Sequence, residues 1–157
     1  MKKMKQYLLL ITLLALAIYP TSISAKINIV PKMYMFGFAA SFNDTIVHFT
    51  DIQAVDSVCI DSKNRFMSGR ENYSYQLRDY LANKKQMPHR TCVVFYNEKR
   101  EKLEKEYLKM KRIYTTGKKK SKKKDLQSKS RYDIREILSS EFKFQTVDMR
   151  GVYNGND

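Results

Sequence analysis

Apolar and polar positions along this chain recur with strand and helix periods, and the two periods predict most of its elements. In residues 33–55, "MYMFGFAASFNDTIVHFTDIQAV", Tyr34, Phe36, Phe38 and Phe42 fall on one strand face, and Met33, Met35, Gly37 and Ala39 on the other. Both faces are apolar, so this strand should be covered on both sides. Gly37 and the alanines point to close approach by a neighbour. Asn43-Asp44 carries side chains that a tight turn favours. A second strand, from about Thr45 to Val55 and running on to Ile60, then completes an N-terminal hairpin. Residues 26–32 read as a short lead-in.

Downstream the period changes. "NYSYQLRDYLANKK", residues 72–85, places Tyr73, Leu77, Tyr80 and Leu81 at helical spacing, and Pro88 follows as a stop. "RTCVVFYN", residues 90–97, is a short apolar run rich in β-branched and aromatic residues and reads as a buried strand. Residues 98–114 form a long helix with Leu103, Tyr107, Met110 and Tyr114 as its stripe. Its opposite charges interleave on the other face, and acids precede bases as the helix dipole favours. Gly117 ends it. Residues 130–140 predict a third helix, with Ser130 as cap and Ile134, Ile137 and Leu138 as stripe. Residues 142–149 alternate as an edge strand would, and the last residues read as a frayed tail.

The predicted order is β-β-α-β-α-loop-α-β. It implies an α/β or α+β fold with a small four-stranded mixed sheet and two to three helices, linked by right-handed crossovers. Strand order stays open. Thioredoxin-like and ferredoxin-like layouts both fit, but no CxxC supports a thioredoxin activity.

The chain's first residues belong to a different pattern. Lys2, Lys3 and Lys5 precede an apolar stretch from Leu8 to Ile18 broken only by Thr12, then Pro20 and small residues to Ala25. That order is a secretory signal peptide over residues 1–25, too short to span a bilayer, with cleavage at Ala25–Lys26 or after Ser24. The expected product is exported to the periplasm, the cell surface or the medium, with no transmembrane span after cleavage. It is a single domain over residues 26–157, long enough for one core.

Charge then singles out one stretch. The chain carries a formal +14, yet residues 117–131 alone hold seven lysines, Arg131 and a lone acid, Asp125. Lys118, Lys119, Lys120, Lys122, Lys123 and Lys124 repel one another, so a disordered basic loop is expected at about 116–130. Lysine is a hydrated point charge on a flexible stem, suited to loose attraction to polyanions. The candidate partners are an anionic envelope polymer or membrane surface, or an acidic protein. With no aromatic in the run, sequence-specific nucleic-acid readout is not expected. A solvated loop without a partner is the bland alternative.

Catalytic candidates are few. His48 and His89 are the only histidines, and Cys59 and Cys92 the only cysteines. Cys59, His89 and Cys92 would make a thiol or metal site only if strands brought them together. In an oxidising compartment the two cysteines could instead form a disulfide, closing a loop of about 33 residues for ~3–4 kcal/mol. His48 shares a strand face with Ile46 and Thr50 while Asp51 points away, which argues against a His–Asp pair. Asp44, Asp51, Asp56 and Asp61 read as solvated edge acids rather than a glycosidase pair. Tyr75, Arg70 and Arg78 face outward from their helix. No phosphate loop, dinucleotide fingerprint, nucleophile elbow or HExxH occurs, and no cofactor is implied.

The stretch 33–55, with "NYSYQLRDYL" downstream, resembles small uncharacterised exported proteins of Bacteroidetes bacteria. Membership would imply that Asp44-Thr45-Ile46 and Asp56-Ser57-Val58 match that phylum's three-residue O-glycosylation pattern, with Thr45 and Ser57 as acceptors. In a eukaryotic secretory host, Asn43-Asp-Thr and Asn72-Tyr-Ser would instead be N-glycosylation sequons. The expectation for function is an exported cell-envelope binding or accessory protein whose lysine-rich loop contacts anionic material. An enzyme with a Cys/His site and a structural or oligomerisation subunit are the alternatives.

Overall fold

A computed structural model describes residues 27–116, 131–149 and 151. The leader, the lysines from Lys118 to Lys124 and most of the tail lie outside the described residues. The described residues form an α+β fold with a five-stranded mixed sheet and two helices. Its elements are β1 (Ile27–Ala40), β2 (Ile46–Thr50), β3 (Gln53–Asp61), α1 (Arg70–Lys84), β4 (Thr91–Asn97), α2 (Arg100–Thr116) and β5 (Asp133–Ile137).

β1 is the organising strand and begins at Ile27, so the expected lead-in is already sheet. It pairs antiparallel with β2, β3 and β4, and β2 pairs parallel with β5. Phe38 lies opposite both Phe49 and Val93, and Tyr34 opposite both Ala54 and Asn97. β2 and β3 therefore lie along one edge of β1 and β4 along the other. The predicted second strand is thus right in course but broken at Asp51-Ile52. Asp51 fixes the break: its N–H donates to Ile137 O (3.1 Å), and its carboxylate accepts from Gln53 Nε2 and Ser139 N, each 3.0 Å.

Both faces of β1 are covered, as its two apolar faces require. Met33, Met35 and Ala39 pack with Tyr73, Leu77 and Leu81 of α1. Phe36, with Tyr34 and Phe38, packs against Leu103, Tyr107, Met110 and Tyr114 of α2. The sheet is thus the middle of three layers. Gly37 is the point of closest approach to α1, because a Cβ there would fall 2.5 Å from Leu77 Cδ2. On the α2 side the core is aromatic: Phe36 stacks on Phe95 at 5.0 Å and meets Tyr107 edge-on at 5.1 Å.

Two expected elements are corrected. Residues 133–137 form β5, not a helix. Ile134 joins the α2-side core and Ile137 the α1-side core, as opposite faces of one strand demand. Residues 142–149 form no strand. Phe142 and Phe144 enter the α1-side core, but the backbone is held by side-chain amides. Gln53 donates to Phe142 O (2.9 Å) and accepts from Phe144 N (3.0 Å), while Gln76 does the same for Gln145 O (2.9 Å) and N (2.8 Å). Among the described residues no helix is long and apolar enough to cross a membrane.

Candidate functional site

The hairpin end of the sheet gathers the unusual polar groups. The turn between β1 and β2 is fixed by its own side chains: Asn43 N donates to Ser41 Oγ (3.2 Å) and Ile46 N to Asp44 Oδ1 (2.9 Å). Arg90, just ahead of β4, clamps this turn from inside. Its guanidinium donates to Ile46 O (2.6 Å) and forms an ion pair with Asp44. β5 enters at the same end, where Asp133 N donates to Thr45 O at 2.9 Å. α2 finishes there too, with Tyr114 against Phe38 and Tyr132, both at 5.0 Å.

His48 lies beneath this turn. It is buried, and its Nδ1 has no hydrogen-bond partner. Burial first, then the positive charges of Arg90 and Arg135, lower its pKa to about 4, so it is neutral at pH 7. The register runs Arg135–His48–Ala39–Cys92 across four strands. His48 and Cys92 are therefore two strand spacings apart, about 9.6 Å, with Ala39 between them. Burial also pushes the Cys92 thiol up to about 11, the reverse of an activated nucleophile.

The Cys59, His89 and Cys92 set is not brought together. Cys59 pairs with Ile29 near one end of β1, and Cys92 with Ala39 near the other. Ten residues of strand separate those partners, roughly 33 Å. The two cysteines are free thiols, so the disulfide expected as one option is not formed. His89 is exposed at φ 66 in the connection before β4. Among the described residues, no group of three or more His, Cys, Asp or Glu side chains converges.

The four aspartates are separate as well. Asp44 caps the turn and pairs with Arg90, Asp51 ties the strand break, and Asp61 accepts from Lys63 N (2.8 Å) and Asn64 N (3.0 Å). Those backbone N–H groups hold the Asp61 carboxyl below its usual range. Asp56 is exposed on β3. Tyr75 and Arg78 satisfy one another, the guanidinium 4.5 Å from the ring centre. Thr45 is exposed in the hairpin turn, and Ser57 is exposed on β3 at φ 56, in the gap opposite Pro31 between the Val30–Val58 and Lys32–Asp56 pairs.

Three features escaped the sequence reading. Phe42, expected on the strand face with Phe38, is instead fully exposed in the turn. Its place beside Asn43-Asp44 was the available signal, since a turn apex has no core to enter. Arg90 gave no signal, because its partner Asp44 is distant in sequence. The third is an open cleft of about 300 Å³ at the far end of β4, lined by Met33, Arg65, Tyr96, Glu98, Lys99 and Lys102 among others. Comparison with protein-family models, with curated proteins and with solved structures finds no match to this chain.

Proposed function

We propose that this chain is an exported cell-envelope binding or accessory protein whose lysine-rich stretch contacts anionic envelope material, using the α+β core as scaffold. The observation that carries this reading is the Tyr114–Tyr132 contact at 5.0 Å. It brings together the two ends of the chain that flank the lysines, so the charge is tethered to one end of the sheet. The flanks add to that charge. Residues 107–131 hold eleven Lys and Arg and a single acid, Asp125. Multiple lysines near an anionic surface contribute about 1 kcal/mol each, and their attraction weakens with salt. The leader pattern supports export, and the separation of Cys59, His89 and Cys92 favours binding over thiol or metal chemistry.

The test is binding of the chain that starts at Lys26 to immobilised heparin and to lipopolysaccharide, beside a variant lacking Lys118–Lys124. Among the described residues, the buried core lies between Val30 and Leu103 and between Ile137 and Phe144, so neither protein loses one of those residues. Salt-sensitive binding that the deletion abolishes supports the reading. Binding that is insensitive to salt and unchanged by the deletion refutes it.

A further inference from the structure

We infer that the hairpin end is a docking face for an anionic lipid bilayer, with Phe42 as the side chain that enters the interface. The inference rests on the anion-binding reading above and names its partner.

Phe42 is 103 % exposed, beyond any other large apolar residue described. It is not a loose residue on a free loop. The side chains of Ser41 and Asp44 accept from Asn43 N and Ile46 N just after it, and the Arg90 clamp holds Asp44 and Ile46 from within. A rigid turn therefore presents a phenyl ring to solvent with no pocket of its own to fill. Tyr132, 42 % exposed, and Ile113, 36 % exposed, add apolar surface at the same end.

The acids at this end are paired, which leaves its charge balance positive. Asp44 is paired with Arg90, Asp133 with Arg135, and Glu136 with Lys111. Each acid described beside the turn and on β5 is thus neutralised within the molecule. Lys109 on α2 and Arg131 beside Tyr132 add positive charge. A protruding apolar side chain at a positively charged end of the sheet is the chemistry of peripheral attachment to anionic lipid. There, apolar insertion and electrostatic attraction each contribute part of the binding and neither suffices alone. A hydrated acidic polymer offers a phenyl ring no apolar phase to enter. The charge balance and the exposed ring together favour a bilayer over a soluble polyanion.

The chain contains no tryptophan, so Phe42→Trp installs a single reporter at the turn. The variant is mixed with phosphatidylglycerol–phosphatidylcholine vesicles, with pure phosphatidylcholine vesicles and with soluble heparin. On the anionic vesicles the emission should shift to the blue and be quenched by lipids brominated along the chain. Heparin should leave it unshifted, and neutral vesicles should bind little. A second variant, Phe42→Ser, should lower partitioning onto the anionic vesicles about tenfold, a partial loss of one phenyl burial, with heparin affinity unchanged. Anionic vesicles that bind without shift or quenching, or that bind Phe42→Ser as well as the parent, overturn the inference and leave the anion-binding reading standing. Failure to bind either vesicles or heparin overturns both.

Discussion

Arg90 and Asp44 form an unequal ion pair: the guanidinium is 3 % exposed and the carboxylate 38 %. The arginine depends on the pair more than the aspartate does. Asp44→Asn keeps an oxygen for Ile46 N but leaves a buried cation with the Ile46 carbonyl as its main partner. Arg90→Met leaves a carboxylate that water can reach. Asp44→Asn should therefore cost about 2–3 kcal/mol and Arg90→Met about 1–2 kcal/mol, read from urea denaturation midpoints. The opposite order would show that the guanidinium is not buried as described.

His48 makes the fold sensitive to mild acid. Its pKa is about 4 in the folded chain, against 6.5 for an unperturbed imidazole. Between those values the unfolded chain binds the proton and the folded chain does not. Stability is therefore undiminished above pH 6.5, falls by about 1.4 kcal/mol per pH unit as pH drops toward 4, and stops falling below that. The full loss is about 3 kcal/mol. Urea denaturation at pH 7, 6, 5 and 4 should show this slope, and His48→Leu should remove it. An equal slope in both proteins would assign the acid sensitivity to carboxylates instead.

Gly37 is a packing glycine. A methyl there would meet Leu77 Cδ2 at 2.5 Å, Phe144 Cζ at 3.2 Å and Thr50 Cγ2 at 3.3 Å. Gly37→Ala should cost about 1–3 kcal/mol through overpacking. Combined with Leu77→Ala, it should cost less than the sum of the two single changes, because the deleted leucine makes room. Additive losses would mean that α1 does not lie over Gly37.

The same placement explains what could be read in advance. β1 was legible on both faces because a strand covered on both sides must be apolar throughout. The stripes of α1 and α2 were legible because helical spacing is local. β5 was not, since Ile134 and Ile137 sit on one side of a helix and on opposite sides of a strand, and both arrangements bury them. The edge of β2 decides between these, and it lies far away in sequence. The segment after β5 was misread for a related reason. Its backbone finds Gln53 and Gln76 instead of a neighbouring strand, and a glutamine amide carries no sequence mark of such a role. At the hairpin end the turn was foreseen, whereas Arg90 and the exposure of Phe42 depend on how three connections meet.

The cysteines give a prediction about thiol chemistry. Cys59 is buried, Cys92 is partly buried with its thiol pushed up to about 11, and the two lie at opposite ends of β1. Unreduced protein unfolded in guanidinium should titrate as two thiols per chain. The folded protein should react slowly with iodoacetamide at pH 8, because Cys92 holds little thiolate and Cys59 is buried. No titratable thiol after unfolding would indicate a Cys59–Cys92 bond and a different register of β3 and β4.

The most direct measurement is the salt dependence of binding to anionic vesicles, for the chain from Lys26 and for a variant with Lys118, Lys119, Lys120, Lys122, Lys123 and Lys124 all changed to Gln. The account predicts binding that falls steeply as sodium chloride rises, and a much shallower dependence once the six charges are gone. Equal binding by both proteins at every salt concentration would contradict it, and the lysines would then be a solvated connection between α2 and β5.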